Sequence, residues 1–320
     1  MSIEKNFIPC IIFAFNRPDK LRLVIEALKP QKIDHLIIFI DGPRDKLDYE
    51  KVECCRLIAA QIDWVDKEVY SNQKNEGLNG LISNIDKVFN RYQSAIFLED
   101  DCLPMPTFYS FMKQALEYYK AEDKIFSICG YQYLEEKYFR NYPYSLISTW
   151  RFNSLGWATW QKRWAFVRPY ISTFNELFDN LQNIPNIIGR DLKTTAKLTA
   201  KGETASWAVK VAVATFWLKK IHLLAIKGMV RNIGFDASGV HDAKWSIRFH
   251  NKNIYAGIEM KNIVWLKDIE PQKYYVKKIK QFYANITQPF WGKIMPRWFR
   301  RRLHFMRRFI YGSMYNSAKR

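Results

Sequence analysis

Apolar residues fall along the first 130 positions in two alternating patterns. Residues 8–15 form an unbroken apolar run containing Ile11, Ile12, Phe13 and Phe15. Such a run suits a strand buried on both faces, as in a parallel sheet. Asn16-Arg17-Pro18-Asp19 interrupts it, and Pro18 suits the first turn of a helix. Leu21, Val24, Ile25 and Leu28 then recur at helical spacing until Lys29-Pro30. Residues 36–40 predict a second strand, stopped by Asp41-Gly42-Pro43. Residues 52–62 predict a helix and 68–71 a weak strand, followed by the turn residues Asn75-Glu76-Gly77. Leu78, Ile82, Ile85 and Phe89 mark another amphipathic helix. Residues 95–98 predict a third clear strand, running straight into Glu99-Asp100-Asp101. A helix over 108–119 and a strand over 125–129 complete this half.

Strands alternating with helices predict an α/β fold, a doubly wound and mostly parallel sheet. In such sheets ligands bind beyond the carboxyl ends of the strands. Asn16-Arg17, Asp41 and Glu99-Asp100-Asp101 all follow predicted strands, so polar residues from three strand ends converge on one edge. After Tyr131 the pattern changes. Residues 150–164 carry Trp150, Trp157, Trp160 and Trp164. Residues 205–218 predict a helix, and 228–241 a loop with Asn232, Gly234 and Gly239. There is no internal repeat and no low-complexity linker.

Composition changes this picture at one end of the chain. Of 320 residues 48% are hydrophobic, enough for a substantial core, and the net charge is +19. A balance that basic points to anionic partners. Residues 271–320 hold thirteen Lys and Arg but no Asp or Glu, so the excess lies mainly in the tail. There, Trp298, Phe299, Leu303, Met306 and Ile310 fall near one helical face, with Arg297, Arg300, Arg301, His304 and Arg308 on the other. An aromatic face opposite a cationic one suits an interfacial helix on anionic lipid. Nucleic acid is the competing partner for such charge, but no nucleic-acid motif is present. The five cysteines, Cys10, Cys54, Cys55, Cys102 and Cys129, show no metal or redox spacing, which fits a reducing compartment. Residues 1–7 have no signal-peptide layout and no apolar run is long enough to span a bilayer. The expected location is cytoplasmic, peripheral on the inner face of the membrane.

The acidic triplet carries the chemistry. Adjacent like charges cost stability unless a cation neutralises them. Carboxylates at a strand end can hold Mn²⁺ or Mg²⁺ with few protein ligands, leaving coordination positions open to phosphate oxygens. A nucleotide-sugar donor calls for this arrangement, because charge develops on its diphosphate leaving group. A solvated acidic turn is the bland alternative.

These pieces occur in a particular order: Ile12-Phe13-Ala14-Phe15-Asn16-Arg17-Pro18, Phe39-Ile40-Asp41-Gly42, Asn75-Glu76-Gly77-Leu78, Phe97-Leu98-Glu99-Asp100-Asp101, Leu155-Gly156-Trp157, Asn232-Ile233-Gly234-Phe235-Asp236 and Gly239-Val240-His241. Over most of residues 8–245 the chain resembles bacterial GT-A glycosyltransferases (glycosyltransferase family 2-like). More distantly, it is similar to the N-acetylglucosaminyltransferase that initiates complex N-glycan branching. The resemblance implies that Asp101 binds the metal. It implies that Glu99 and Asp100 face the ribose and uracil, that Phe13 and Arg17 line the base pocket, and that Asp41 holds base or ribose. Val240 would lie in a loop closing over the diphosphate, with His241 as a second metal ligand and Gly156 and Trp157 on the acceptor side. Each has an ordinary alternative: Arg17 as a solvated helix start, Asp41 as a turn former, His241 as a surface histidine, Trp157 as core. Relatives place an acid near a Trp that maps to Trp207, and Ala205-Ser206-Trp207-Ala208 has none. Glu203 is the nearest acid and is taken as the catalytic base, with Asp191 and Asp236 further away.

The expected organisation is therefore a GT-A domain over 1–245, with a nucleotide-sugar half over 1–130 and an acceptor half over 131–245. A basic aromatic region of membrane-surface helices would cover 246–320. The expected reaction is metal-dependent and inverting transfer from a UDP-sugar to a glycan or lipid-linked acceptor in cell-surface polysaccharide synthesis. Rival readings are a sugar-phosphate nucleotidyltransferase, which calls for a glycine-rich basic loop absent from residues 8–20, and a noncatalytic membrane-associated glycan-assembly protein.

Overall fold

A computed structural model describes residues 7–180, 188–234 and 257–287. Its centre is an eight-stranded sheet. The strands are β1 (Cys10–Ala14), β2 (Leu36–Ile40), β3 (Lys67–Ser71), β4 (Ser94–Glu99), β6 (Ile125–Cys129), β7 (Leu146–Thr149), β8 (Trp157–Trp160) and β9 (Ile221–Ala225), in the order β3-β2-β1-β4-β8-β6-β9-β7. From β3 to β4 all pairings are parallel, with Ile12 opposite both Ile38 and Leu98. β8 then runs antiparallel between β4 and β6, β6 and β9 are parallel, and β7 closes the far edge antiparallel. The predicted α/β doubly wound sheet is present, and its second half is mixed.

Helices cover both faces. The residues of β1 alternate between them, as the period of a strand requires. Cys10, Ile12 and Ala14 join the core beneath α1 (Pro18–Leu28), α2 (Lys46–Ala60) and α4 (Phe108–Tyr118). Ile11 joins the opposite core, under α3 (Gly77–Phe89), α5 (Gln161–Ser172) and α8 (Trp207–Trp217). On this second face the strand register lines up a ladder of rings. Tyr70 stacks on Phe39 at 5.1 Å, Phe39 on Phe13 at 5.8 Å, Phe13 on Phe97 at 6.0 Å and Phe97 on Trp157 at 4.6 Å. Offset stacking adds to the burial of large rings, so neighbouring strands are joined by side chains as well as by their ladders.

A small second sheet lies beside the end of β4. β5 (Cys102–Pro104) pairs antiparallel with β10 (Val230–Asn232), bringing Asn232 opposite Cys102. Residues expected to be loop over 228–241 thus include a strand of three residues. The remaining helices are α6 (Phe174–Asn180), α7 (Arg190–Ala200) and α9 (Lys273–Thr287).

The chain after residue 245 is not a separate appendage over 257–287. Ile258, Leu266, Tyr275 and Ile279 are buried in the cores described above, and Val276 is buried as well. Ser148 Oγ in β7 donates to the Ile269 carbonyl at 2.6 Å, and the Tyr119 hydroxyl donates to that of Leu266 at 3.0 Å. Alternation of Tyr, Val and Ile with Lys in α9 hides an apolar stripe, and that stripe packs on α7 and β7. Among the described residues no helix is long and apolar enough to cross a membrane. Trp298 to Ile310 lies outside them.

Candidate active site

The site grows from the ends of β1 and β4. Phe13 pairs with Glu99, and the Asp100 amide donates to the Phe13 carbonyl at 2.9 Å, carrying the ladder one residue beyond β4. The chain then turns into β5, so the three acids are fixed between two strands. Asp100 is 1% exposed and Asp101 7%. Their counter-charge comes from the end of β1. Pro18 starts α1 with its fixed φ, leaving Arg17 at the N-cap with φ −123° and its side chain free of capping duty. The Arg17 guanidinium reaches both acids: Nη1 donates to Asp101 Oδ2 at 2.7 Å and Nη2 to Asp100 Oδ1. The Phe15 amide donates to the other oxygen of Asp100 at 3.2 Å.

Burial and mutual repulsion show in the acidities. Burial pushes the Glu99 carboxyl up to about 8; Asp101 adds to the rise, while Arg17 opposes it. Burial likewise lifts Asp100 to about 6, against the opposing pull of Arg17. Among the described residues the Glu99 carboxylate has no hydrogen-bond or ion-pair partner, and the residue lies half-buried at the end of β4.

The far wall is Gly234. The Ile233 amide donates to the Asp101 carbonyl at 2.8 Å, and the Gly234 amide to Asn232 Oδ1 at 2.8 Å. These bonds bring Gly234 so close that a Cβ there would stand 2.0 Å from Asp101 Oδ2. Sequence reading placed Gly234 in a loop without giving it a role. The signal available was Asn232-Ile233-Gly234, a polar residue able to bond the backbone two positions on, followed by the smallest residue.

Other expected site residues fall elsewhere. Asp41 follows β2, but its carboxylate is spent inside the protein. It accepts from the Gly42, Glu76 and Gly77 amides, each at 2.9 Å, and from the side-chain amides of Asn72 at 3.2 Å and Asn75 at 2.9 Å. A carboxylate offers about four lone-pair positions, so Asp41 clamps the β3–α3 loop and has little left for a nucleotide. Phe13 lies near the end of β1, half-buried in the ring ladder. Trp157, placed on the acceptor side by resemblance with core packing as the alternative, is 1% exposed and surrounded by Phe97, Phe126, Phe152, Trp164 and Trp207. It is core, because β8 is buried on both faces. Gly156 beside it has φ +64° and lies against Val230 Cγ2, where a Cβ would come within 2.4 Å. Glu203, taken as the base, sits in an exposed turn after α7 with Lys201 Nζ at 3.9 Å, and no hydrogen bond or ion pair joins it to the triplet. Asp191 is held by Arg151, whose guanidinium lies over the Tyr283 ring. Val240, His241 and Asp236 lie outside the described residues.

No family model matches the chain, and no curated protein matches it in sequence. Solved structures do resemble it in chain path. A cytidylyltransferase from Leptospira borgpetersenii aligns at 12% identity and TM-score 0.32, over 61% of this chain and 72% of its own. GalNAc-T7 with UDP, GalNAc and Mn²⁺ aligns at 11% and 0.44, over 76% of this chain. The mannosyltransferase PcManGT from Pyrobaculum calidifontis, in complex with GDP-Man and Mn²⁺, aligns at 11% and 0.38, over 89% of this chain and 71% of its own. The chain spans about half the length of GalNAc-T7, 48%. Scores this low transfer no residue roles, so the chemistry rests on the geometry above.

That geometry suits a bound cation. Two buried carboxylates, Asp100 and Asp101, already hold one cation, the Arg17 guanidinium, with Glu99 next to them in the chain. Among the described residues no three His, Cys, Asp or Glu side chains are spaced to enclose a metal ion. Mn²⁺ or Mg²⁺ here would therefore take one or two carboxylate oxygens, Asp101 first with Glu99 beside it. Its remaining positions would fall to water and ligand oxygens, the usual arrangement for a metal that grips phosphate.

Proposed function

We propose that this chain is a metal-dependent glycosyltransferase of the GT-A type, transferring a sugar from a nucleotide-sugar, a UDP-sugar, to a glycan or lipid-linked acceptor with inversion. The observation that carries this reading is the buried acid pair at the end of β4, bridged by Arg17 and walled by Gly234 at the carboxyl edge of a parallel sheet. Ligands of doubly wound sheets bind at that edge. A divalent ion held there would stabilise negative charge developing on the departing diphosphate. Within the protein, Asp101 would supply the oxygen and Arg17 a positive charge beside it, and the missing side chain of Gly234 lets the end of β10 lie against Asp101. Phe13 offers a ring beside the acids for a base. The resemblance in ordered motifs over residues 8–245 points the same way, as do two of the structural neighbours, which carry UDP or GDP-Man together with Mn²⁺.

The test is release of UDP from a panel of UDP-sugars with and without Mn²⁺, in the wild type and Asp101→Ala. The reading requires metal-stimulated release that falls at least about a hundredfold in the variant, the scale of losing one preorganised charge-stabilising group. Unchanged donor affinity in Asp101→Ala would count decisively against the site.

One observation favours a second reading. Ser206 caps α8 where an acid was looked for, accepting from the Val209 amide at 3.4 Å, and Glu203 is exposed. A glycan-assembly protein that binds a nucleotide-sugar without turning it over would look like this. It would bind UDP-sugar with Mn²⁺ yet release no UDP with any acceptor. The basic aromatic tail beyond residue 287 is proposed to hold the protein on the anionic inner face of the membrane, near a lipid-linked acceptor.

A further inference from the structure

We infer that Arg17 is a resident counter-ion that a divalent cation must displace, so that metal and nucleotide diphosphate bind this protein together rather than singly. The inference rests on the metal site proposed above. Its basis is the way the Asp101 carboxylate is enclosed. Oδ2 receives Arg17 Nη1 at 2.7 Å and is closed on another side by Gly234, while Oδ1 faces the Cys102 thiol at 3.6 Å. The same guanidinium holds Asp100, which is almost wholly buried. A metal ion approaching Oδ2 therefore meets a fixed positive charge already in contact with the oxygen it needs.

The two cations cannot share that oxygen at contact distance without strong repulsion. Arg17 has somewhere to go. It stands at the N-cap of α1, its side chain makes no capping bond, and it lies at the same strand edge where a diphosphate would sit. A diphosphate brings the negative charge that lets both cations stay, the metal on Asp101 and the guanidinium on phosphate oxygens, for which its planar fork is suited. Mn²⁺ and UDP should thus each raise the other's affinity, as linkage requires.

Calorimetric titration with Mn²⁺ alone, and again with UDP present, tests this in the wild type, in Arg17→Gln and in Arg17→Gln/Asp100→Asn. The double variant removes the buried charge left behind, in case Arg17→Gln does not fold. Wild type should bind Mn²⁺ weakly alone and about tenfold or more tightly with UDP, within the usual range of coupling between sites. The variants should bind Mn²⁺ about tenfold more tightly than wild type without UDP, and UDP should add much less. Equal affinity for Mn²⁺ alone in all three proteins overturns the displacement while leaving the metal site standing. Loss of Mn²⁺ binding in both variants overturns it too, since Arg17 would then build the site. No Mn²⁺ binding by wild type with or without UDP overturns the metal-dependent reading itself.

Discussion

At the residue scale, the site depends on what is missing at position 234. Gly234→Ala would place a methyl 2.0 Å from Asp101 Oδ2, so either the carboxylate or the β10 end must move. The neighbour most able to give is the acid side chain, whose displacement pulls it from Arg17. Overpacking of this kind costs about 1–3 kcal/mol of stability. Donor binding should suffer more, because oxygens displaced by an ångström no longer meet the ligand they were set for. The expected result is a melting temperature lowered by a few degrees and a fall of about tenfold or more in affinity for UDP with Mn²⁺. Calorimetry and thermal unfolding on the same sample check it, and an unchanged affinity would show that Asp101 Oδ2 does not face the ligand. Trp157 shows the opposite case, where residue type leaves two readings open. The resemblance puts this aromatic beside Gly156 on the acceptor side, with core as the alternative, and the ring lies among five others. Nothing within the one segment distinguishes a stacking Trp from a buried one; the partner rings come from β4, β6, α5 and α8 and from the segment before β8.

At the element scale, β1 to β4 and their helices were legible because their signal is local. Unbroken apolar runs of about five residues alternate with helical stripes, and a parallel strand buried on both faces must read that way. β7, β8 and β10 were not legible, since antiparallel strands slotted between or beside others owe their place to partners far along the chain. Asp41 lay at a strand end as expected, yet its role was decided by Asn72, Asn75 and two amides arriving from more than thirty residues away. The first half also carries charges that set its acid stability. Asp48 in α2 accepts from Arg44 and Asn16, and these bonds, the Arg44 one above all, hold its carboxyl down to about 2 despite burial. Glu68 on the edge strand β3 is held down to about 2, chiefly by Arg91 with help from Tyr70 and His35. For groups with a folded acidity below the unfolded one, the unfolded chain binds more protons between the two values, so stability rises with pH there. The contribution is complete above about pH 4.5 and drains away as pH falls toward 2. Asp48→Asn and Arg91→Ala should each flatten the acid limb of a stability–pH curve between those limits and lower stability at pH 7. A limb as steep as that of the wild type in both would mean that other carboxylates govern acid unfolding.

At the scale of the whole molecule, the question is where the folded body stops and the basic tail begins. Charge alone puts the break near residue 271, where the last acid, Glu270, is followed by thirteen cations. Packing puts it later. α9 carries four of those cations, Lys273, Lys277, Lys278 and Lys280, yet Tyr275, Val276 and Ile279 on its other face are buried, and Tyr275 stacks on Phe139 at 5.3 Å. Ahead of it, the Gln272 amide donates to the Ser148 carbonyl at 3.1 Å, and Gln272 Oε1 accepts from the Ser148 amide at 3.2 Å, so the segment is joined to β7 by backbone and side chain together. Two truncations separate the roles. Ending the chain at residue 272 removes Tyr275, Val276 and Ile279, each contributing about 1.5–3 kcal/mol when fully buried, and bares the apolar surface of α7 and β7 that they cover, which should cost enough to cause unfolding or aggregation. Ending it at residue 287 removes nine of the thirteen cations and the whole aromatic–basic stretch while leaving α9 seated. That shorter protein should melt within a degree or two of the full chain and bind Mn²⁺ with UDP equally well. If the tail serves an anionic membrane, it should also lose sedimentation with vesicles containing acidic phospholipid. Equal sedimentation of both chains would place the lipid contact on the folded body, and a large drop in melting temperature would show that the tail is part of the core. The comparison works because the cut at residue 287 keeps every described strand and helix, whereas a cut placed by charge alone also removes α9.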